Sequence, residues 1–458
     1  MANTRLQSLE DFLAKDVPNV KYATPSSPQY AEWRHIYIQS NKTTPLMIVR
    51  PQTADDVAKL VKYIVKNGLE FTIRGGGHDM MGRSQAQDAV TIDMRDIRYV
   101  KISEGKRTAT IGAGINMIQL QEELDKEKLA TTVGNVGHVG YTGWAIYGGY
   151  GFFNNNFGLG VDNIVGAKVV DSGGSVLDTD EHPDLLKGIR GAGGAFGVIV
   201  ELRIKTYHVE SILAGWVFFE CQDVGSVFDN MCRNFSQLLE EDFPNEIGVS
   251  LMTTTGPMGR MCGVSFVSSF EDEEKARPWL AKIEKLGTCV MNTVETTTPL
   301  KYLHAQSAFG FNSAYGTCRT ANLLSLSKVA GKLGDIAESL PAFSGPALVI
   351  HMIRGPSTDV CNSSVFANRR PHFLVELIGT SDEESQAQDT VKWAHISRST
   401  LQHADPDNSL PGTYVSLDMS GELTYENLFG TNLPTYKDLK VKYDPKNVFM
   451  QPFSLIKI

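Results

Sequence analysis

Between Gly134 and Gly160 the chain carries glycine at 134, 137, 140, 143, 148, 149, 151, 158 and 160, and no Asp, Glu, Lys or Arg at all. Each glycine costs a helix or strand interior roughly 0.5–1 kcal/mol relative to alanine, so this density excludes a regular element. Trp144, Tyr147, Tyr150, Phe152, Phe153 and Phe157 are interleaved with these glycines. Ordinary core packing accounts for most of such rings. Close backbone approach beside large flat side chains also suits a dinucleotide lying extended along the chain.

Two further glycine clusters point the same way. Residues 53 to 68 read as a helix, with Thr53 as cap, Asp56 at its third position, an apolar stripe of Val57, Leu60, Val61, Ile64 and Val65, and Gly68 as terminator. A strand follows at Glu70 to Arg74 and runs into Gly75-Gly76-Gly77-His78. Three consecutive glycines let backbone N–H groups converge without Cβ atoms in the way, which is how a loop holds phosphate oxygens; a plain tight turn is the alternative. The third cluster is Arg190-Gly191-Ala192-Gly193-Gly194-Ala195-Phe196-Gly197. None of the three has the Gly-x-Gly-x-x-Gly and distant acid of a nucleotide-binding βαβ unit.

At 458 residues the chain is long enough for two cores. After Tyr207 its texture changes. Apolar strands at Ile212 to Phe219, Val264 to Val267 and Ala347 to Met352 alternate with amphipathic helices near 224–240, 271–286 and 381–396. This is the pattern of an α+β domain built on an antiparallel sheet. The expected division is 1–207, 208–412, and a segment 413–458 that returns to the first part. A net charge of -9 offers no field for nucleic acid. The start of the chain has neither an export signal nor a membrane anchor, so a cytoplasmic protein with no membrane partner is expected. Six scattered cysteines form neither a disulfide framework nor a zinc motif, and no metal is expected.

In order along the chain, Pro51 with its helix, Arg74 to His78, Val139-Gly140, Gly148-Gly149, the aromatic run 150 to 157, Gly158-Leu159-x-x-Asp162-Asn163, Arg190 to Gly197 and Tyr443-Asp444-Pro445-x-Asn447-Val448-Phe449 together resemble the berberine-bridge-enzyme-like FAD-linked oxidases. That group lies within the vanillyl-alcohol-oxidase and p-cresol-methylhydroxylase (PCMH) superfamily, and bacterial 6-hydroxy-D-nicotine oxidase is a similar relative. The resemblance covers nearly the whole chain. It implies a PCMH-type FAD-binding domain and an α+β substrate domain with an antiparallel sheet.

The resemblance also implies roles for single residues. His78 would be joined through a ring nitrogen to the 8α carbon of FAD. Gly75, Gly76 and Gly77, with the backbone around Val139 to Gly143 and Gly191 to Gly197, would cradle the diphosphate and ribityl chain; Arg74, Asp79, Gly134, Gly140, Gly149, Asn163 and Val198 complete the expected cofactor set. Many members attach the flavin a second time through cysteine, where this chain has Val136, so a single attachment is expected. Valine at 139 is the family's mark of an oxygen-accessible flavin, implying molecular oxygen as second substrate.

For the substrate side, alternation along His372-Phe373-Leu374-Val375-Glu376-Leu377-Ile378 puts His372, Leu374, Glu376 and Ile378 on one face. A glutamate inside an apolar strand is costly unless paired or useful. Glu376 is therefore the first candidate for a catalytic base, with His372 at the pocket rim; partial exposure, or an ion pair with Arg369 or Arg370, is the plain alternative. His351 is either a core histidine or a pocket residue. Tyr147, Tyr315, Tyr414 and Asn432 are further expected pocket residues, Asn432 by its match to the family. Where plant members carry a second tyrosine as base, this chain has Leu417. The expected activity is FAD-dependent oxidation of a small hydroxylated or amine-bearing secondary metabolite, giving hydrogen peroxide, with ring formation as a further outcome. A carbohydrate or simple-alcohol oxidase and a flavin-holding cyclase without net oxidation remain as alternatives.

Overall fold

The computed structural model describes residues 2–256, 259–308, 313–418 and 423–453. Helix Ala54–Lys66 forms where the stripe predicts it. Thr53 Oγ1 accepts from Asp56 N while the Asp56 carboxylate accepts from Thr53 N, a reciprocal cap. The helix packs against the strands Ile164–Val170, Val176–Asp178 and Val198–Lys205 and connects strands of a sheet in which Met47–Arg50, Val90–Asp93 and Phe71–Arg74 lie parallel, with Lys21–Ala23 added antiparallel at one edge. A second, antiparallel sheet runs in the order Val100–Ile102, Thr108–Gly112, Val198–Lys205, Ile164–Val170 and Val176–Asp178. The glycine-dense stretch forms short helical turns at Tyr141–Ala145, Asn154–Phe157 and Gly160–Asn163 joined by irregular backbone, with positive φ at Gly148, Gly149 and Gly158.

The later part of the chain builds a 9-stranded sheet in which every pairing is antiparallel. One of its faces carries Phe373, Val375 and Leu377 into a core with Phe228, Phe235 and Trp393. Those three rings come from helices Val224–Leu238 and Ala387–Ala404. The other face presents His372, Leu374, Glu376 and Ile378, as alternation requires. The helix expected near 381–396 starts later because the strand His372–Ser381 and a following turn use its first residues. The expected helix 271–286 is split into Arg277–Ile283 flanked by 3-10 turns.

Two long-range ties and one local one fix the segments around the site. Arg369 makes two hydrogen bonds to the Asp162 carboxylate, at 2.7 and 2.9 Å. Buried Asp444 accepts from Val448 N and Phe449 N, each at 2.8 Å, and from Lys440 Nζ at 2.6 Å. Arg83 joins Asp79 to the carbonyls of Val415 (2.7 Å) and Pro452 (2.5 Å). A carboxylate or guanidinium saturated this way locks its loop, since releasing either partner would strand a buried charge.

Candidate active site

Two of the glycine clusters meet backbone to backbone. A Cβ on Gly76 would lie 2.3 Å from Gly140 N, and one on Gly140 would lie 2.4 Å from Gly76 N. No side chain fits at either position. Their loops wall a cavity of about 380 Å³ lined also by Gly75, Gly77, His78, Asp79, Gly134, Val136, Val139, Gly143, Gly197 and Val198. A Cβ at Gly75 or Gly143 would meet no protein atom within 4 Å. Both therefore offer bare backbone to open space. Ser84 and Thr142 line the same cavity, and their hydroxyls are buried and without a partner among the described residues. An orphaned buried hydroxyl costs roughly 1–3 kcal/mol, which a bound polar ligand relieves. Bare glycine backbone along the cavity wall, with unpaired hydroxyls among its residues, fits a dinucleotide.

His78 stands at the end of the triple glycine with its ring stacked on Tyr37, centroids 5.0 Å apart. Burial first, then His138, Arg74 and His35, pulls its imidazole down to about 4. It is neutral at pH 7 and keeps a ring-nitrogen lone pair. Burial pushes Tyr37 up to about 12.

The long sheet supplies the facing wall through Cys318, Glu376 and Ile378, joined by Tyr37, Tyr150, Tyr414 and Leu417. The Glu376 side chain is 13% exposed, and burial raises its carboxyl to about 8. His351 Nε2 lies 3.5 Å from its Oε2. Arg369 is engaged with Asp162, so the expected alternative of a Glu376–Arg369 ion pair does not form. Tyr414 donates its hydroxyl to Trp144 O at 2.7 Å. Tyr147 lines the cavity beside Arg83 and Asp79, where burial raises its phenol.

Other expected residues lie elsewhere. Arg74 turns behind the glycine loop and donates to the carbonyls of Trp33 and His35. Asn163 points inward, its amide donating to Leu159 O (2.8 Å) and Thr132 Oγ1 (3.1 Å) while its oxygen accepts from Tyr207. It holds the glycine-rich turn from within the fold. Gly149, at φ +76°, packs under Gly160 and lines a smaller hollow of about 40 Å³ that also contains His372. His372 donates Nδ1–H to Arg370 O at 2.7 Å. Burial holds it near 4. Tyr315 sits at the start of its strand beneath Lys42 Nζ, 5.0 Å from the ring centre. Asn432 donates to Val365 O. His351, behind Glu376, is buried, and its Nδ1 lies 2.8 Å from Ser250 Oγ.

The residues that sequence reading missed are Tyr37, Arg83, Ser84, Thr142 and Cys318. All line the cavity, and none carries a local signal beyond its side-chain type. Among the described residues no group of His, Cys, Asp and Glu could hold a metal ion, and no helix is long and apolar enough to cross a membrane.

A family model described as an FAD binding domain matches residues 45–180. FAD-linked oxidoreductase aurO of Gibberella zeae is 31% identical over 98% of this chain and 87% of its own length. 6-Hydroxy-D-nicotine oxidase from Arthrobacter nicotinovorans superposes with a TM-score of 0.83 at 21% identity, covering 94% of this chain and 97% of that one. Glucooligosaccharide oxidase from Acremonium strictum, whose FAD is 6-S-cysteinyl and 8α-N1-histidyl, gives 0.83 at 18% identity, covering 98% and 97%. The two structures share the fold.

Proposed function

The chain belongs to the FAD-linked oxidoreductases of the berberine-bridge-enzyme-like, PCMH-type superfamily, and from that premise we propose that it oxidises a small hydroxylated or amine-bearing secondary metabolite, with molecular oxygen as second substrate and hydrogen peroxide as product. It is an FAD-dependent oxidoreductase. The observation that carries the finer reading is Glu376. It is a lone carboxyl on an otherwise apolar and aromatic wall, turned into the same cavity as His78.

Bound FAD supplies the hydride acceptor and the route to oxygen. The chain's own residues do the rest. Residues 1–207 with 413–458 hold the cofactor, and 208–412 cover it. Neutral His78 offers the nitrogen lone pair for a single covalent link, Val136 providing no thiolate for a second. The backbones of Gly75, Gly140 and Gly143, with Ser84 and Thr142, hold the polar chain of the dinucleotide. Tyr37, Tyr150, Tyr414 and Ile378 exclude water and favour a flat, largely apolar substrate, which supports a phenol or amine over a sugar. Glu376, once ionised, accepts the proton from the substrate's O–H or N–H as carbon gives up hydride.

Two measurements test this. Protein denatured and freed of small molecules stays yellow if His78 is joined to the flavin; a colourless chain refutes the attachment. A panel of phenols, amines and sugars scored for peroxide then decides the substrate. Turnover confined to sugars would overturn the substrate reading, and flavin that cycles without peroxide would overturn the oxidase reading.

A further inference from the structure

Strand register sets three residues abreast on the cavity side of the sheet: Ser250, His351 and Leu374. The next row on that side is Met252, Val349 and Glu376. His351 thus stands one row behind Glu376 and one strand away. Its Nδ1 lies 2.8 Å from Ser250 Oγ and its Nε2 3.5 Å from Glu376 Oε2. Its ring packs on Tyr150, centroids 5.0 Å apart, and Tyr150 packs in turn on Tyr414.

The partner of each imidazole decides what it can do. His372, on the same strand as Glu376, faces a backbone carbonyl, which only accepts; its Nδ1 must carry the hydrogen. His351 faces a serine hydroxyl, which both donates and accepts. When Ser250 donates to Nδ1, the hydrogen of the neutral imidazole sits on Nε2, 3.5 Å from Glu376 Oε2. When Glu376 is protonated, its O–H can be met by a bare Nε2 while Nδ1–H turns to Ser250. His351 is satisfied in either case and need not become charged, in keeping with burial that holds it near 4. Among the described residues, Tyr414 from the C-terminal segment interacts with Glu376, and the Cys318 thiol, opposite Ile378 on the neighbouring strand, lines the same cavity; burial makes both harder to ionise.

We propose that His351, clamped by Ser250, is a positioning residue that donates Nε2–H to the ionised Glu376, holding Oε2 so that Oε1 faces the substrate and setting the pH above which Glu376 can accept a proton. This rests on the reading of Glu376 as the base. No proton passes through His351. The substrate proton goes to Oε1 and is returned to solvent after product leaves.

The test follows the carboxylic C=O stretch of the flavin-loaded protein by infrared spectroscopy across pH, with Glu376→Gln used to assign the band. The wild-type band should disappear with a midpoint near pH 8. In His351→Leu the midpoint should move up by about one unit or more, a tenfold loss in ionised fraction below it. Ser250→Ala should shift it the same way by less, and His351→Gln, whose amide N–H also donates, should restore part of it. A midpoint unchanged in both His351→Leu and Ser250→Ala would overturn the proposal, as would a wild-type protein with no titrating band. Ser250→Ala and His351→Gln carry the test if the leucine variant fails to fold. The base reading fails separately: Glu376→Gln would then oxidise substrate at the wild-type rate while the infrared shifts persisted.

Discussion

Replacing Glu376 by glutamine should remove a pH-dependent cost from the folded state, and its size follows from the burial of the carboxyl. In the unfolded chain the group titrates near 4.5, and in the fold near 8. Between those values the unfolded chain has lost the proton and the folded protein still holds it, so stability falls as pH rises and levels off above about 8. At 1.36 kcal/mol per unit the full span is worth about 5 kcal/mol, an upper figure because the cavity admits some water. The buried histidines act with the opposite sign. His78, His351 and His372 have folded values near 4, so their stability is lost as pH falls below 6.5. Their contribution is the same in wild type and Glu376→Gln, so the difference between the two proteins isolates Glu376. Urea midpoints of wild type and Glu376→Gln at half-unit steps should diverge by about 1 kcal/mol between pH 7 and 8, the variant gaining, and run parallel above 8.5. A difference constant from pH 7 to 9 would mean that the fold does not keep this carboxyl protonated, and the argument for a base with a raised pKa would fall with it.

Other perturbations are equally direct. Gly76→Ala forces a Cβ to 2.3 Å from Gly140 N, so the two loops must part; flavin content per chain, read by absorbance, should drop sharply, and full occupancy would refute the close-approach argument. His78→Ala should lose its colour on denaturation while retaining the fold by circular dichroism. Val139→Leu places a larger side chain on the cavity wall and should slow reoxidation of the photoreduced protein by oxygen; an unchanged rate would remove the oxidase argument from this position. Arg83→Met strands the Asp79 carboxylate and frees the 415 and 452 carbonyls, with an expected loss of about 3–5 kcal/mol in chemical denaturation.

Some of the site is local chemistry, and that part is legible in the sequence. A missing Cβ is a property of the residue itself, so Gly75, Gly76, Gly140 and Gly143 announce bare backbone before any fold is known. The Thr53 and Asp56 cap is settled within four residues. Period-two alternation sends Glu376 to the opposite side from Val375 whatever the sheet order. What the residue types do not contain is register and docking. His351 reaches Glu376 only because two strands pair with one offset out of many, and Ser250 joins them through a third. Arg369 could have met Glu376, but the fold carries it to Asp162. Asn163 and Gly149 belong to the expected motif, yet they turn inward, since a tight glycine turn has its own orphan carbonyls to satisfy. Tyr37, Ser84, Thr142 and Cys318 enter the cavity from segments far apart in the chain. Composition and spacing thus mark out where bare backbone can approach an extended cofactor. The neighbours of the lone carboxyl, and so its protonation, are decided by tertiary structure, because desolvation depends on what packs around a group and not on what precedes it in the chain.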